Sequence, residues 1–169
     1  MKKFIKIILM TGISSLLLIG CSSKNSDENV DNFINTLISA KTYENIDFSS
    51  DFNNSIDEST KIFGEYLTED GLGTLIANRI PSLYYNVIDK NTIIDTEDIK
   101  IVKTKEKKED NFISYEYEVS YKLKSDNKSI DMKDYMAFKV MKDKPNLINE
   151  VYVSEKKSSI FSEFKSIVQ

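Results

Sequence analysis

The chain has 169 residues, with 23 basic and 27 acidic side chains and a net charge of −4. It contains no histidine and one cysteine, Cys21. These counts exclude a histidine-based triad, a histidine general base, a histidine or multi-cysteine metal site and an internal disulfide, and the acidic balance offers no strong footprint for nucleic acid. The only close glycine pair is Gly71-Leu72-Gly73, which is neither a P-loop nor a dinucleotide-binding pattern. No cofactor and no metal are expected.

The chain opens with Lys2, Lys3 and Lys6, followed by an apolar run over residues 7–19. That run is shorter than the roughly 20 residues of a bilayer span. A basic start, a short apolar segment and a small residue at its end have the pattern of a secretory signal peptide. Leu18-Ile19-Gly20-Cys21 resembles the lipobox of bacterial lipoproteins. The resemblance implies cleavage between Gly20 and Cys21, and a diacylglycerol with palmitate-like chains on the Cys21 sulfur. It also implies a protein held by that lipid on the extracytoplasmic side of the cell membrane. Removing residues 1–20 takes three lysines and no acid, which leaves 149 residues with 20 basic and 27 acidic side chains, a net charge of −7. That length suits one domain. Residues 21–27 read as a polar tether and residues 28–169 as the domain.

Helical periodicity begins at residue 28 and runs to 42, with Val30, Phe33, Ile34, Leu37 and Ile38 on one face. The opposite face carries Asp31, Asn32, Asn35 and Thr36 rather than the cations of a membrane-surface helix, so the apolar face is expected to pack on a protein core. A second helix is expected over residues 56–67. Thr68 is the predicted N-cap of a third, with Glu69 and Asp70 in its first turn. Pro81 should end or kink that helix near Ile80, and Leu83, Tyr84, Val87 and Ile88 continue an apolar stripe beyond it.

From residue 91 the period changes to two. Tyr115, Tyr117, Val119, Tyr121 and Leu123 alternate with polar residues, as do Ile130, Met132, Met136, Phe138 and Val140. Ile99 and Ile101 belong to an earlier strand, Val151 and Val153 to a later one. The expected connections, residues 105–111, 125–129 and 142–146, are short and polar and imply antiparallel hairpins. The lysine-rich stretch 103–108 reads as a solvated turn. The tail, with Ile160, Phe161, Phe164 and Ile167, has the spacing of a short helix covering the core.

Helices followed by antiparallel strands predict an α+β fold, with helices packed on a sheet of about four strands. The segments 66–72 (Tyr-Leu-Thr-Glu-Asp-Gly-Leu), 134–140 and 147–153 resemble the helix start and closing hairpin of the NTF2-like, or cystatin-like, superfamily. That resemblance implies a curved sheet wrapped into a cone with a pocket, over residues 28–155. Many such anchored domains have no assigned activity, some belong to conjugation machinery, and dimers through the sheet are common.

Two polar residues break the inward pattern: Asp134 on the third strand and Asn149 on the last. If the sheet encloses a cavity, Asp134, Asn149, Tyr115, Tyr117 and Tyr121 line it. A carboxylate there has a raised pKa and serves as a general base. The plainer expectation leaves Asp134 in solvent at the strand's start and the tyrosines in the core. Arg79, the single arginine, is either a clamp for an anionic ligand or, as expected here, half of a structural ion pair. The sequence thus predicts a non-catalytic module, anchored through Cys21, that binds a protein partner, a small ligand or a second copy of itself. The alternative is an isomerase or hydrolase with Asp134 as base.

Overall fold

The computed structural model describes residues 23–46, 48 and 52–168. Gly20 and Cys21, and with them the signal and lipidation expectations, lie outside the described residues. The elements are α1 (Ser23–Ile38), a 3-10 turn (Ala40–Tyr43), α2 (Phe52–Phe63), α3 (Glu69–Ala77), α4 (Ile80–Lys90), β1 (Asp95–Lys108), β2 (Phe112–Lys124), β3 (Ser129–Met141), β4 (Ile148–Val153) and α5 (Ser159–Val168). The fold is α+β. Its helices pack on a curved, open antiparallel sheet with strand order β1-β2-β3-β4.

The amphipathic face of α1 is the centre of the core. Val30, Phe33, Ile34, Leu37 and Ile38 are all fully buried, and each such side chain contributes about 1.5–3 kcal/mol by leaving water. The Phe33 ring sits 5.6 Å from Phe63, 6.1 Å from Tyr66 and 5.9 Å from Phe138, joining α2 and β3 to α1. The helix begins five residues before the expected residue 28, so Ser23–Asp27 of the expected tether are helical. Tertiary partners account for the polar extension: Ser26 Oγ lies 2.9 Å from the Tyr115 hydroxyl, and Asp27 pairs with Lys103 at 2.9 Å. At the other end of α1, Thr96 Oγ1 donates to the Ile38 carbonyl at 3.0 Å and accepts from the Ala40 N–H at 3.0 Å.

The second helix lies four residues earlier than its periodicity suggested. Gly64 follows it, and Leu67 is free to form a parallel bridge with Ile148 of β4. The Thr68 N–H donates to the Ile148 carbonyl, and the Ile148 N–H to the Tyr66 carbonyl, both at 2.9 Å. Residues 66–68 thereby pair the outer edge of β4 at Ile148, which would otherwise present unpaired backbone groups. Thr68 caps α3 as expected, its hydroxyl accepting from the Gly71 N–H at 3.1 Å.

Pro81 does not end a helix; it begins one. The break comes at Asn78 and Arg79, where Arg79 adopts φ 53° and ψ 29°, and α4 starts at Ile80 with Pro81 in its first turn. A proline there sacrifices no helical hydrogen bond.

In the sheet, the expected alternation holds along β2 and β3: Tyr115, Tyr117, Val119, Tyr121 and Leu123 are buried, as are Met132, Met136, Phe138 and Val140. The outward face carries cross-strand ion pairs, among them Lys105–Glu116 and Lys133–Glu118 at 2.8 Å and Lys139–Glu150 at 2.9 Å. Such solvated pairs add little stability but keep this face polar. Residues 105–108, expected in a turn, continue β1 instead, pairing as far as Lys108 with Ile113. A strand of alternating lysines and acids at a sheet edge discourages pairing with other chains.

Candidate functional site

Asp134 lies in the middle of β3, opposite Val119 and flanked by the buried Met132 and Met136. Its relative exposure is 0%, which corrects the expectation of a solvent position at the strand's start. The strand begins at Ser129, so residue 134 is interior to the ladder and takes the inward side of the pleat.

Three donors converge on this carboxylate. The Tyr121 hydroxyl, from β2, donates to Oδ2 at 2.6 Å. The Tyr84 hydroxyl, from α4, donates to the same oxygen at 2.8 Å. The Ile160 N–H, in the first turn of α5, donates to Oδ1 at 3.1 Å. An acidic group at a helix N-terminus satisfies an orphan donor and faces the positive end of the helix dipole. Asp134 therefore supplies from β3 what a local cap supplies elsewhere.

The serines before Ile160 complete the junction. Beyond Met136 β3 is paired with β4, but its earlier half extends past the end of that partner. There Ser158 Oγ accepts from the Tyr135 N–H at 2.9 Å, and Ser159 Oγ from the Lys133 N–H at 3.1 Å. The two hydroxyls replace carbonyls that a longer β4 would have provided.

Burial raises the pKa of Asp134, and the hydrogen bonds from Tyr121, Ile160 and Tyr84 offset only part of that rise. Tyr84 and Tyr121 are pushed well above the ordinary phenol range, first by burial and then by the adjacent carboxylate. A general base must approach the proton it removes to within about 3 Å. Here both oxygens already hold donors from the protein, and none of the four described clefts is lined by Asp134.

The other expected site residues separate into different places. Tyr115 and Tyr117 are buried at the opposite end of β2 from Tyr121, with their hydroxyls at Ser26 and Asp27, the latter at 3.5 Å. Asn149 sits at an irregularity in the β3–β4 pairing, so that Ile148 takes the inward position and the Asn149 side chain accepts from Thr68 at 3.0 Å. Arg79 is exposed and makes no ion pair with a described residue. Its left-handed backbone position lies between two helices, on neither packed face.

Sequence reasoning missed Tyr84, Ser158 and Ser159. The signal for Tyr84 was present. A tyrosine in a buried helical stripe needs an acceptor for its hydroxyl, and an aspartate on a buried strand face needs donors.

The largest described cleft lies along α4, beginning at Tyr85, the residue after Tyr84. It has a volume of about 460 Å³ and is lined by Tyr43, Tyr85, Ile88, Ile93 and Ile94, with Lys41 and Glu44 at its rim. Tyr43, Phe48 and Tyr85 form an aromatic cluster beside it, with centroids 5.6–6.4 Å apart. Ile94 is 56% exposed.

Among the described residues no cluster of three or more metal-ligating side chains is present, and no helix is long and apolar enough to cross a membrane. No known protein family, curated protein or solved structure matches the chain.

Proposed function

We propose that the protein is a lipoprotein of the cell membrane whose NTF2-like domain, on the extracytoplasmic side, binds a partner and does not transform it. The anchor rests on Leu18-Ile19-Gly20-Cys21 at the end of a short apolar run behind three lysines. What supports a non-catalytic role is the saturation of Asp134, whose oxygens are held by Tyr84, Tyr121 and Ile160. The cleft beside Tyr43 and Tyr85 is the preferred place for a protein or small-ligand contact, because it pairs an exposed Ile94 with a polar rim. A scaffold role in an envelope or conjugation assembly, and pairing of two copies, fit the same anchored module.

The expected result for Cys21→Ser is loss of the incorporated palmitate analogue, since the acyl chains that make a stable anchor are carried by that sulfur. A Cys21→Ser protein that still incorporates the palmitate analogue overturns the anchor. For the partner, a photo-crosslinker placed at Ile94 should capture more of it than one placed at Val102 on β1.

A second reading makes the protein an isomerase or hydrolase with Asp134 as base, favoured by its raised pKa. It requires α5 to lift and open a path to the carboxylate. The Ile160 amide must then exchange its hydrogen through a local opening. If it exchanges only with global unfolding, this reading fails.

A further inference from the structure

We propose that the tips of the β1–β2 and β3–β4 hairpins rest on the membrane and that their lysines contact anionic lipid headgroups. The inference rests on the lipid anchor proposed above and adds which end of the domain faces the bilayer.

The direction of α1 decides it. Its first turns lie over Tyr115, Tyr117 and Lys103, while its last turn meets Thr96. In the sheet register Tyr115 is opposite Glu106, close to the hairpin turn at residues 109–111. The helix thus runs away from that turn. The β3–β4 turn is at the same end: the Lys142 N–H donates to the Asn111 carbonyl at 3.0 Å, and Asn146 and Leu147 share a cleft with Glu28, Asn29 and Asn32 of α1.

Lengths then place the tips beside the anchor. From Ser26 to Ser23 the helix rises about 4.5 Å. Cys21 is two residues further, a reach of at most about 7 Å. Along the sheet, the four residues from Tyr115 to Asn111 span about 13 Å. Two residues of chain beyond the helix therefore cannot carry the lipid-bearing position past the level of the hairpin tips. An anchor so close to the folded domain leaves no slack to hold these tips clear of the headgroups.

Their charge suits that position. Residues 103–110 and 142–144 carry six exposed lysines, Lys103, Lys105, Lys107, Lys108, Lys142 and Lys144, against four acids, Glu106, Glu109, Asp110 and Asp143. The chain as a whole is net negative at −4. Lys103 is held by Asp27 and Glu106, Lys107 by Glu109, Lys105 by Glu116 and, more loosely at 3.8 Å, Lys108 by Glu106. Lys142 and Lys144 make no ion pair with a described carboxylate, and Lys142 instead donates to the Asp110 carbonyl at 3.1 Å. Each lysine that reaches an anionic surface strengthens attachment about fivefold.

The test uses the full-length lipidated protein in vesicles of phosphatidylglycerol and phosphatidylcholine, in vesicles of phosphatidylcholine alone, and in detergent. Lysines are labelled with a membrane-impermeant acylating reagent and read by mass spectrometry, which also reports the lipid on Cys21. Lys107, Lys108, Lys142 and Lys144 should be protected about fivefold or more in the anionic vesicles relative to detergent, while Lys41, Lys90 and Lys128 at the far end keep their reactivity. Charge reversal by Lys107→Glu, Lys142→Glu and Lys144→Glu should abolish the protection of Lys108. Equal labelling at both ends of a lipidated chain overturns this inference and leaves the anchor standing. Equal protection in neutral and anionic vesicles overturns the headgroup contact. An unlipidated Cys21 overturns the anchor and the inference together.

Discussion

Replacing Asp134 with leucine is expected to destabilise the domain by about 3–5 kcal/mol, because three buried donors lose their acceptor at roughly 1–2 kcal/mol each. At this chain length that lowers the thermal midpoint by roughly 10 °C. Asp134→Asn should cost less. Its carbonyl can still accept from the Ile160 N–H and its amide can donate to the two tyrosine oxygens, although the two hydroxyl hydrogens lose their acceptor. The combination of Asp134→Leu with Tyr84→Phe and Tyr121→Phe should recover part of the loss, since it removes two of the three orphaned donors along with the acceptor. Urea unfolding of the four proteins measures all of this. If Asp134→Leu is as stable as the parent, the junction between β3, α4 and α5 is not held by this carboxylate.

The same residue sets a pH dependence of definite sign. Burial raises the Asp134 pKa in the folded state above its unfolded value of about 3.9. Between those two values the native state binds more protons than the unfolded chain, so its stability falls as pH rises. The contribution from Asp134 is complete below the unfolded value and is lost through the folded one. The stability of the parent minus that of Asp134→Asn should therefore decrease as pH rises from about 4. A constant difference across that range would mean that the hydrogen bonds cancel the burial in full.

Much of this architecture is legible in the residue pattern because burial on one face leaves a period. The 3.6-residue stripe of α1 and the two-residue alternation of β2 are fixed by which side meets the core. The boundaries that shifted are those set by long-range partners. Ser23–Asp27 are polar and look unstructured in sequence, but Tyr115 and Lys103, nearly 90 and 76 residues away, hold Ser26 and Asp27 in place. Residues 105–108 look like a turn because they are charged, yet an edge strand with both faces wet at its end is charged too. Asp134 showed as an interruption in an apolar face. Whether that interruption is a base or a brace depends on what lies above it, and Tyr84 and Ile160 come from helices 50 and 26 residues away. No local pattern carries that pairing.

Gly71 and Gly73 provide the second large expectation, two residues apart in α3 and opposite in sign. Gly73 has no atom within 4 Å of where a Cβ would sit. Gly73→Ala should stabilise the domain by about 0.5–1 kcal/mol through helix propensity and the reduced freedom of the unfolded chain. A Cβ on Gly71 would run into the carbonyl oxygen of Ile148 and lie 3.3 Å from the carbonyl carbon of Asn149. Both neighbours are backbone of β4 and cannot rotate aside. Gly71→Val should cost about 1–3 kcal/mol or more from forced displacement, well beyond any helix-propensity gain. Displacing α3 would also strain the contacts beside it, the Thr68 bond to Asn149 and the backbone pairing of residues 66–68 with Ile148. The start of the β4 edge, at Ile148, would then be exposed, and Gly71→Val should aggregate at concentrations where Gly73→Ala does not. Propensity alone does not separate the two glycines. Two destabilised variants, or two unaffected ones, would mean that α3 is not seated on the backbone of β4.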